Sequence, residues 1–330
     1  MPKIKSELMP NNEEIEFKEA FIERYSKLTD FAEFKKCSLS YLRKSIRVNT
    51  TKIPVEELKK RLEKKWILQP VPWCKQGFWI EHKGEEVEGK IEKRRDIGNL
   101  REHTLGYIYV QEAASMIPPI ILDPKPGEKI LDMCASPGSK TTQISQMMEN
   151  KGILIANDIS SDRLAALGIN VQRCGLKNVV ITKSLGYHIK ETGFDKILVD
   201  APCSGTGTIR KSLKTLRMWN PTLGKRLGGA QKKLLQHAFN ILNKGGTIVY
   251  STCTMEPDED EAVIDWFLDK NKDARLEEIK IDLKRSPPIL EFNGKKFNPE
   301  ISKCLRIWPQ DNDSEGFFVA KIKKLKEQTK

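Results

Sequence analysis

The sequence predicts an α/β protein: an open, mostly parallel sheet with helices on its faces, preceded by a small α+β module. Three observations predict it. From Tyr107 to the carboxyl end, short apolar runs alternate with helical stretches, the pattern of crossover-linked parallel strands. Before that, a strand–helix–strand–strand pattern occupies residues 41–105. No apolar stretch approaches the roughly 18–20 residues of a membrane span; the longest, Ser115 to Leu122, carries two prolines.

In residues 1–40, Ile15, Phe17, Phe21, Tyr25, Leu28 and Phe31 recur at spacings of two to four, which predicts one amphipathic helix or a pair. The 41–105 module opens with a strand over Ser45–Thr50. A helix follows over Val55–Leu62, started by Pro54, and then extended runs over Trp66–Trp73 and Gly77–Glu81. Charged residues 83–96 predict a surface loop or linker. In the 106–330 domain, strands are expected at 129–133, 153–157, 178–182, 196–200 and 246–251, and helices near 139–149, 161–173, 229–243 and 259–270. Leu305–Trp308 and Gly316–Ile322 face each other as a hairpin would. Five crossover-linked strands and a hairpin make seven. That sheet resembles the class I, Rossmann-like adenosylmethionine-dependent methyltransferases more than a dinucleotide dehydrogenase.

The composition narrows the partners. With 57 Lys+Arg against 45 Asp+Glu, the net charge is +12 in 330 residues, and 38% of them are hydrophobic. A core of that size argues against disorder, and the excess charge points to an acidic partner. Met1–Glu7 shows no secretory pattern. Seven scattered cysteines without a Cys-x-x-Cys pair form neither a disulfide framework nor a zinc cluster. The expectation is a reducing cytoplasm, free thiols, no metal and no membrane.

The first strand-to-helix turn of the large domain reads Asp132-Met-Cys-Ala-Ser-Pro-Gly-Ser-Lys-Thr141. Ligands of open α/β sheets bind beyond the carboxyl ends of the strands, and a helix starting near Ser139 offers free amides to a carboxylate. Neither G-x-G-x-x-G nor a phosphate-loop lysine is present. Asp158 closes the second strand, where it either accepts ribose hydroxyls or caps the next helix. The fourth strand runs into Asp200-Ala-Pro-Cys-Ser-Gly-Thr-Gly207, and the fifth into Ser251-Thr-Cys-Thr254. If those strands are neighbours, Cys203 and Cys253 open into one crevice with Asp200.

A methyl donor, a thiolate and an acid together fit methylation at carbon 5 of cytosine. That carbon is a poor nucleophile until a thiolate adds at carbon 6 and converts the ring to an enamine. An acid near N3 and the exocyclic amine stabilises the adduct, and a second thiol is placed to assist release. Which cysteine attacks is not decided by the residues themselves. Between Asp200 and Glu256 there is no acidic residue and nine basic ones. Arg210, Lys211, Lys214, Arg217, Lys225 and Arg226 are the expected phosphate contacts, and Met218 and Trp219 either stack on a base or pack inside.

The 132–141, 200–207 and 251–254 blocks, with Tyr107–Ser115, Arg306–Pro309 and Glu315–Phe318, resemble the RNA 5-methylcytosine methyltransferases of the Nop/Sun group. The resemblance runs over about residues 40–325 and is nearest to compact archaeal tRNA-modifying members with an RNA-recognition-like amino-terminal module. It implies S-adenosyl-L-methionine bound by Cys134, Ala135, Ser136, Pro137, Gly138, Ser139, Lys140, Asp158, Arg163 and Asp200. It also implies Cys253 as the nucleophile, Cys203 as the release thiol, and Asp200 and Lys140 at the target base. Where the family carries an acid before Gly186, for the adenine amino group, this chain has Leu185, so Ser184 or a backbone carbonyl is expected to serve. The RNA is tRNA or rRNA, with room for an accessory protein that broadens the choice. Two competing readings are DNA cytosine methylation, in which the Pro-Cys thiol attacks, and an RNA-binding or ribosome-assembly factor that has lost turnover.

Overall fold

A computed structural model describes residues 7–87 and 90–326. The apolar spacing of the first forty residues produces two helices, α1 (Glu19–Ser26) and α2 (Phe31–Ser38). Asp30 starts the second by accepting from the amides of Ala32 and Glu33 at 3.0 and 3.2 Å. Both helices pack on the large domain: Phe17, Phe21, Tyr25 and Phe34 cluster with Trp219, Met255 and Trp308. Phe21 stacks on Tyr25 at 3.9 Å and meets Trp219 edge-on at 4.9 Å. Arg24 pairs with Glu256 and Asp258 at 2.8 and 3.2 Å. Residues 1–6 of the expected helical segment lie outside the described residues.

The small module has strands β1 (Ser45–Val48), β2 (Trp66–Val71), β3 (Cys74–His82) and β4 (Ile108–Val110), antiparallel in the order β2-β3-β1-β4. Helix α3 (Val55–Leu62) buries Leu58 and Leu62 against Ile46, Val48, Leu68 and Phe78. The fourth strand lies beyond the expected boundary at 105. Its residues, read as the start of the large domain, first close the small sheet. Residues 83–96 are not plain loop, because Glu85–Val87 pairs with Lys90–Glu92. Buried Arg47 donates to Gln111 Oε1 and Thr142 Oγ1, both at 2.7 Å, and to Gln146. These bonds tie the module to the first crossover helix of the large domain.

The large sheet contains β5 (Lys129–Asp132), β6 (Ile153–Asp158), β7 (Val179–Lys183), β8 (Phe194–Asp200), β9 (Leu242–Thr252), β10 (Ala274–Glu277), β11 (Leu305–Ile307) and β12 (Phe317–Lys324). Its order is β10-β12-β9-β8-β5-β6-β7, with β11 also pairing β12. The expected hairpin is β11 with β12, but the seventh strand along the path is β10, a four-residue segment too short to stand out by pattern. It lies beside residues 321–324 of β12, while β11 lies beside 317–319. The domain's longer helices are α4 (Ile117–Leu122), α5 (Ser139–Met147), α6 (Ser161–Cys174), α7 (Leu223–Ile241) and α8 (Glu261–Lys270), with short helical turns at Lys214–Met218 and Pro309–Asn312.

Strand β8 sits at the centre, with Ile197, Leu198 and Val199 fully buried. Its neighbours β5 and β9 run parallel to it, with Asp132 level with Leu198 and Ser251 level with Asp200. The chain therefore delivers the ends of all three strands to one edge. The switch in strand order between β5 and β8 opens a crevice there. Among the described residues no helix is long and apolar enough to cross a membrane.

Candidate active site

The crevice is a cavity of about 500 Å³ lined by Asp132, Cys134, Ser136, Lys140, Asp200 and Cys253, among others. On its β5 side, Gly138 adopts φ +105° and caps α5. A side chain at that position would be strained by the backbone and would meet Leu167 at 2.8 Å. Asp132 accepts from Thr141 Oγ1 at 2.7 Å through one oxygen, while its other oxygen and the Ser136 hydroxyl are buried without a partner. Burial raises the Asp132 carboxyl to about 7, against the Thr141 hydrogen bond and helped by the nearby Asp200 charge. An unpartnered carboxyl oxygen, an unpartnered hydroxyl and the open amino end of α5 suit a ligand carrying both a cation and a carboxylate. S-adenosylmethionine is such a ligand.

Asp158 is 2% exposed. It accepts from the amides of Ser136 and Ser160 at 3.2 and 3.1 Å and pairs with Arg163 at 3.4 Å, while Arg163 donates to Ser136 O at 2.8 Å. Both residues thus hold the loop from behind. Ser184 donates its hydroxyl to Leu185 O at 3.0 Å.

On the β8–β9 side, Cys203 and Cys253 stand with their sulfurs 3.3 Å apart. The Cys253 sulfur beside it, followed by burial, lifts the Cys203 thiol well above its ordinary range. Lys140 donates to Asp200 Oδ2 at 2.7 Å, and Ser251 donates to Asp200 Oδ1 at 2.8 Å. Burial opposes the Lys140 charge, but the Asp200 carboxylate outweighs it and holds the ammonium above its usual value.

Behind the thiols lies a polar brace. Glu259 accepts from the Ser204 amide at 3.0 Å and from Gln231 at 2.9 Å, and burial raises its carboxyl to about 7. Thr254 bonds Ser204 and Thr206 at 2.7 and 2.9 Å. Gly207 donates to Cys253 O at 3.0 Å, and a Cβ there would lie 2.8 Å from that oxygen and 2.4 Å from Gly316 O. The glycine permits this close approach of strand ends.

Of the basic residues expected on phosphates, Lys211, Lys214, Arg217, Lys225 and Arg226 are exposed. Arg210 is a correction. It is 4% exposed, donates to Ser40 O, Tyr41 O and Ser314 O, and pairs with Asp313 at 2.7 Å. Its neighbours' unpaired carbonyls, invisible in the sequence, draw it inward. Trp219 also packs inside, donating to Glu256 at 2.6 Å, whereas Met218 is exposed.

Sequence reasoning gave no role to Glu112 and Glu315, which line the same cavity. Glu112 accepts from the amides of Ala114, Ser115 and Glu315. Burial and the Glu112 charge raise the Glu315 carboxyl to about 7. Both lie in the 107–115 and 315–318 blocks, but only the fold brings those blocks together.

The family described as 16S rRNA methyltransferase RsmB/F matches residues 119–323, more than half of the chain. The chain belongs to that family. The amino-terminal domain of 16S rRNA methyltransferase RsmF matches residues 17–113. Among relatives, the tRNA (cytosine(49)-C(5))-methyltransferase of Pyrococcus abyssi is 47% identical over 308 residues, covering 92% of this chain and 95% of the relative. Ribosomal RNA small subunit methyltransferase F of Escherichia coli K12 is 39% identical over 301 residues, covering 89% of this chain but only 60% of the longer relative. A solved methyltransferase homolog from Pyrococcus horikoshii aligns with TM-score 0.78 at 35% identity, covering 93% of this chain and all of that one. NSun6 from the same organism, solved with SFG, aligns with TM-score 0.76 at 25% identity, covering 90% and 94%. The RsmB/F protein described here is therefore a methyltransferase with a class I, adenosylmethionine-dependent fold.

Proposed function

We propose that this enzyme methylates carbon 5 of a cytosine in structured RNA, with tRNA favoured over rRNA, through a transient bond between Cys253 and carbon 6. The 3.3 Å approach of the Cys203 and Cys253 sulfurs beside Asp200 and Lys140 carries the reading. The likeness to the Pyrococcus abyssi enzyme along nearly its whole length favours tRNA. Arg163 and Asp158 hold the donor loop and, with Cys134 to Lys140, would receive S-adenosylmethionine, which supplies an electrophilic methyl group when bound.

Cys253 adds to carbon 6 as thiolate. Asp200, fixed by Ser251 and Lys140, takes the polar edge of the ring, where charge develops at N3 and the amine. Carbon 5 then takes the methyl group. In release a water molecule takes the proton from carbon 5, the freed pair restores the ring double bond, and the sulfur–carbon electron pair returns to Cys253. Cys203 is held as a neutral thiol, so it does not compete as nucleophile, and its S–H lies where it can stabilise the departing thiolate. A cytoplasmic location suits its free thiols.

Incubation of the full chain with a labelled methyl donor and tRNA, rRNA or DNA tests this reading. Label is expected on cytosine C5 of tRNA, and Cys203→Ala is expected to leave a protein–RNA adduct that survives denaturing gels. A Cys203→Ala enzyme that turns over normally without an adduct would remove the release role.

A further inference from the structure

Where the small module meets the large domain there is a second cavity of about 500 Å³. Seven cations line it (Arg43, Lys44, Lys93, Arg94, Arg95, Arg210 and Lys211) against two carboxylates, Glu7 and Glu81. The cations divide by role. Arg43 sits 3.8 Å over the Trp79 ring and pairs with Asp313 at 3.0 Å. With Arg210 it clamps the junction. Lys44 and Lys211 are exposed instead, and Lys211 keeps only a long contact, 3.8 Å, to Glu315. Lys93 pairs with Glu81, and Arg95 reaches Glu7 at 3.9 Å, so each would exchange a carboxylate for a phosphate. Arg95 also lies 5.2 Å over the ring of Tyr41, which is 39% exposed. Lys211 also lines the active cavity, so that side chain stands between the two spaces.

We infer that this junction cavity is a channel for the single-stranded RNA next to the target cytosine, with Lys44, Lys93 and Arg95 on its phosphates and Tyr41 under a base. The inference rests on the RNA reading given above and assigns a substrate path to it. A volume of this size holds a drug-sized ligand, enough for one or two unpaired nucleotides and too small for a duplex. A cationic groove with an aromatic platform is the arrangement that binds single strands. Cytosine must leave its stack to reach Cys253, and its neighbour is then drawn along the same path.

The test uses the full chain and a tRNA transcript. In the Lys44→Ala/Lys93→Ala/Arg95→Ala variant, KM for tRNA is expected to rise about ten-fold or more. The slope of log affinity against log salt is expected to fall by about 2, from about 0.7 for each lost contact to single-stranded phosphate. The effect should fall on KM far more than on kcat. A control variant with three surface lysines that line neither cavity removed, Lys151, Lys272 and Lys303, keeps both values. Independently of any substitution, 4-thiouridine placed beside the methylated cytosine should crosslink to peptides containing Tyr41–Lys44 or Lys93–Arg95. An unchanged KM and slope, or crosslinks absent or confined to the Lys214–Arg226 face, while wild type still methylates the transcript, would overturn the channel. Failure of wild type to methylate any RNA would overturn the proposed function instead.

Discussion

The two walls of the active cavity are built differently. The wall after β8 and β9 is braced from within: Glu259, Gln231, Thr254 and Gly207 hold the two thiol-bearing turns, and its own unbonded oxygens, Glu259 Oε1 and Gln231 Oε1, belong to residues outside the cavity lining. The wall after β5 is held from behind by Asp158 and Arg163, yet it leaves Asp132 Oδ1 and the Ser136 hydroxyl buried and unbonded. A buried polar atom without a partner costs about 1–3 kcal/mol. The thiol wall is thus preorganised by its own side chains, while the donor wall keeps its unbonded polar atoms in residues that line the cavity, within reach of a ligand.

Removing the working atom of the preorganised wall breaks this contrast most severely. Cys253→Ala is expected to lower methyl transfer by about 10⁴-fold or more, as loss of a covalent nucleophile does, with tRNA binding in gel-shift assays retained. Next comes the support of that atom. Gly207→Ala forces a Cβ between Cys253 O and Gly316 O, so activity should fall about 100-fold through a displaced sulfur, and thermal melting should register a loss of about 1–3 kcal/mol.

The donor wall should show itself through pH. If Asp132 meets a cationic donor analogue such as sinefungin, binding selects the ionised carboxylate. Affinity measured by calorimetry should then weaken as pH falls through about 7, by up to about ten-fold per unit, and Asp132→Asn should flatten that dependence. The smallest effect concerns the brace. The folded value of Glu259, about 7, is raised above the ordinary carboxylate value. Its proton therefore stabilises the fold at low pH, and that contribution fades as pH rises from about 4.5 through about 7. Glu259→Gln should make the melting temperature less sensitive across that window, and an unaltered profile would place the raised carboxyl elsewhere.

Much of this contrast was legible in the sequence, because the elements that build it are local. Strand ends followed by Asp-Met-Cys-Ala-Ser-Pro-Gly, Asp-Ala-Pro-Cys and Ser-Thr-Cys announce turns at one edge of a parallel sheet. What stayed hidden depends on distant pairing. Strand β4 reads as the start of the large domain because its three residues acquire a sheet only by meeting β1. Arg210 reads as one more cation in a basic run, because the carbonyls of Ser40, Tyr41 and Ser314 that capture it are remote in the chain. Glu112 and Glu315 are 203 residues apart, and only the fold makes them neighbours.

The path of β4 bears on protein engineering. Excising residues 41–105 as a cassette would strand Ile108–Val110 without its hydrogen-bonding partner and bare a sticky ladder edge. It would also cut the chain just upstream of Gln111 and Glu112, which form part of the catalytic pocket's rim. A chimaera that exchanges the small amino-terminal module must therefore carry its splice point past Val110, and the grafted piece would set the position of that rim.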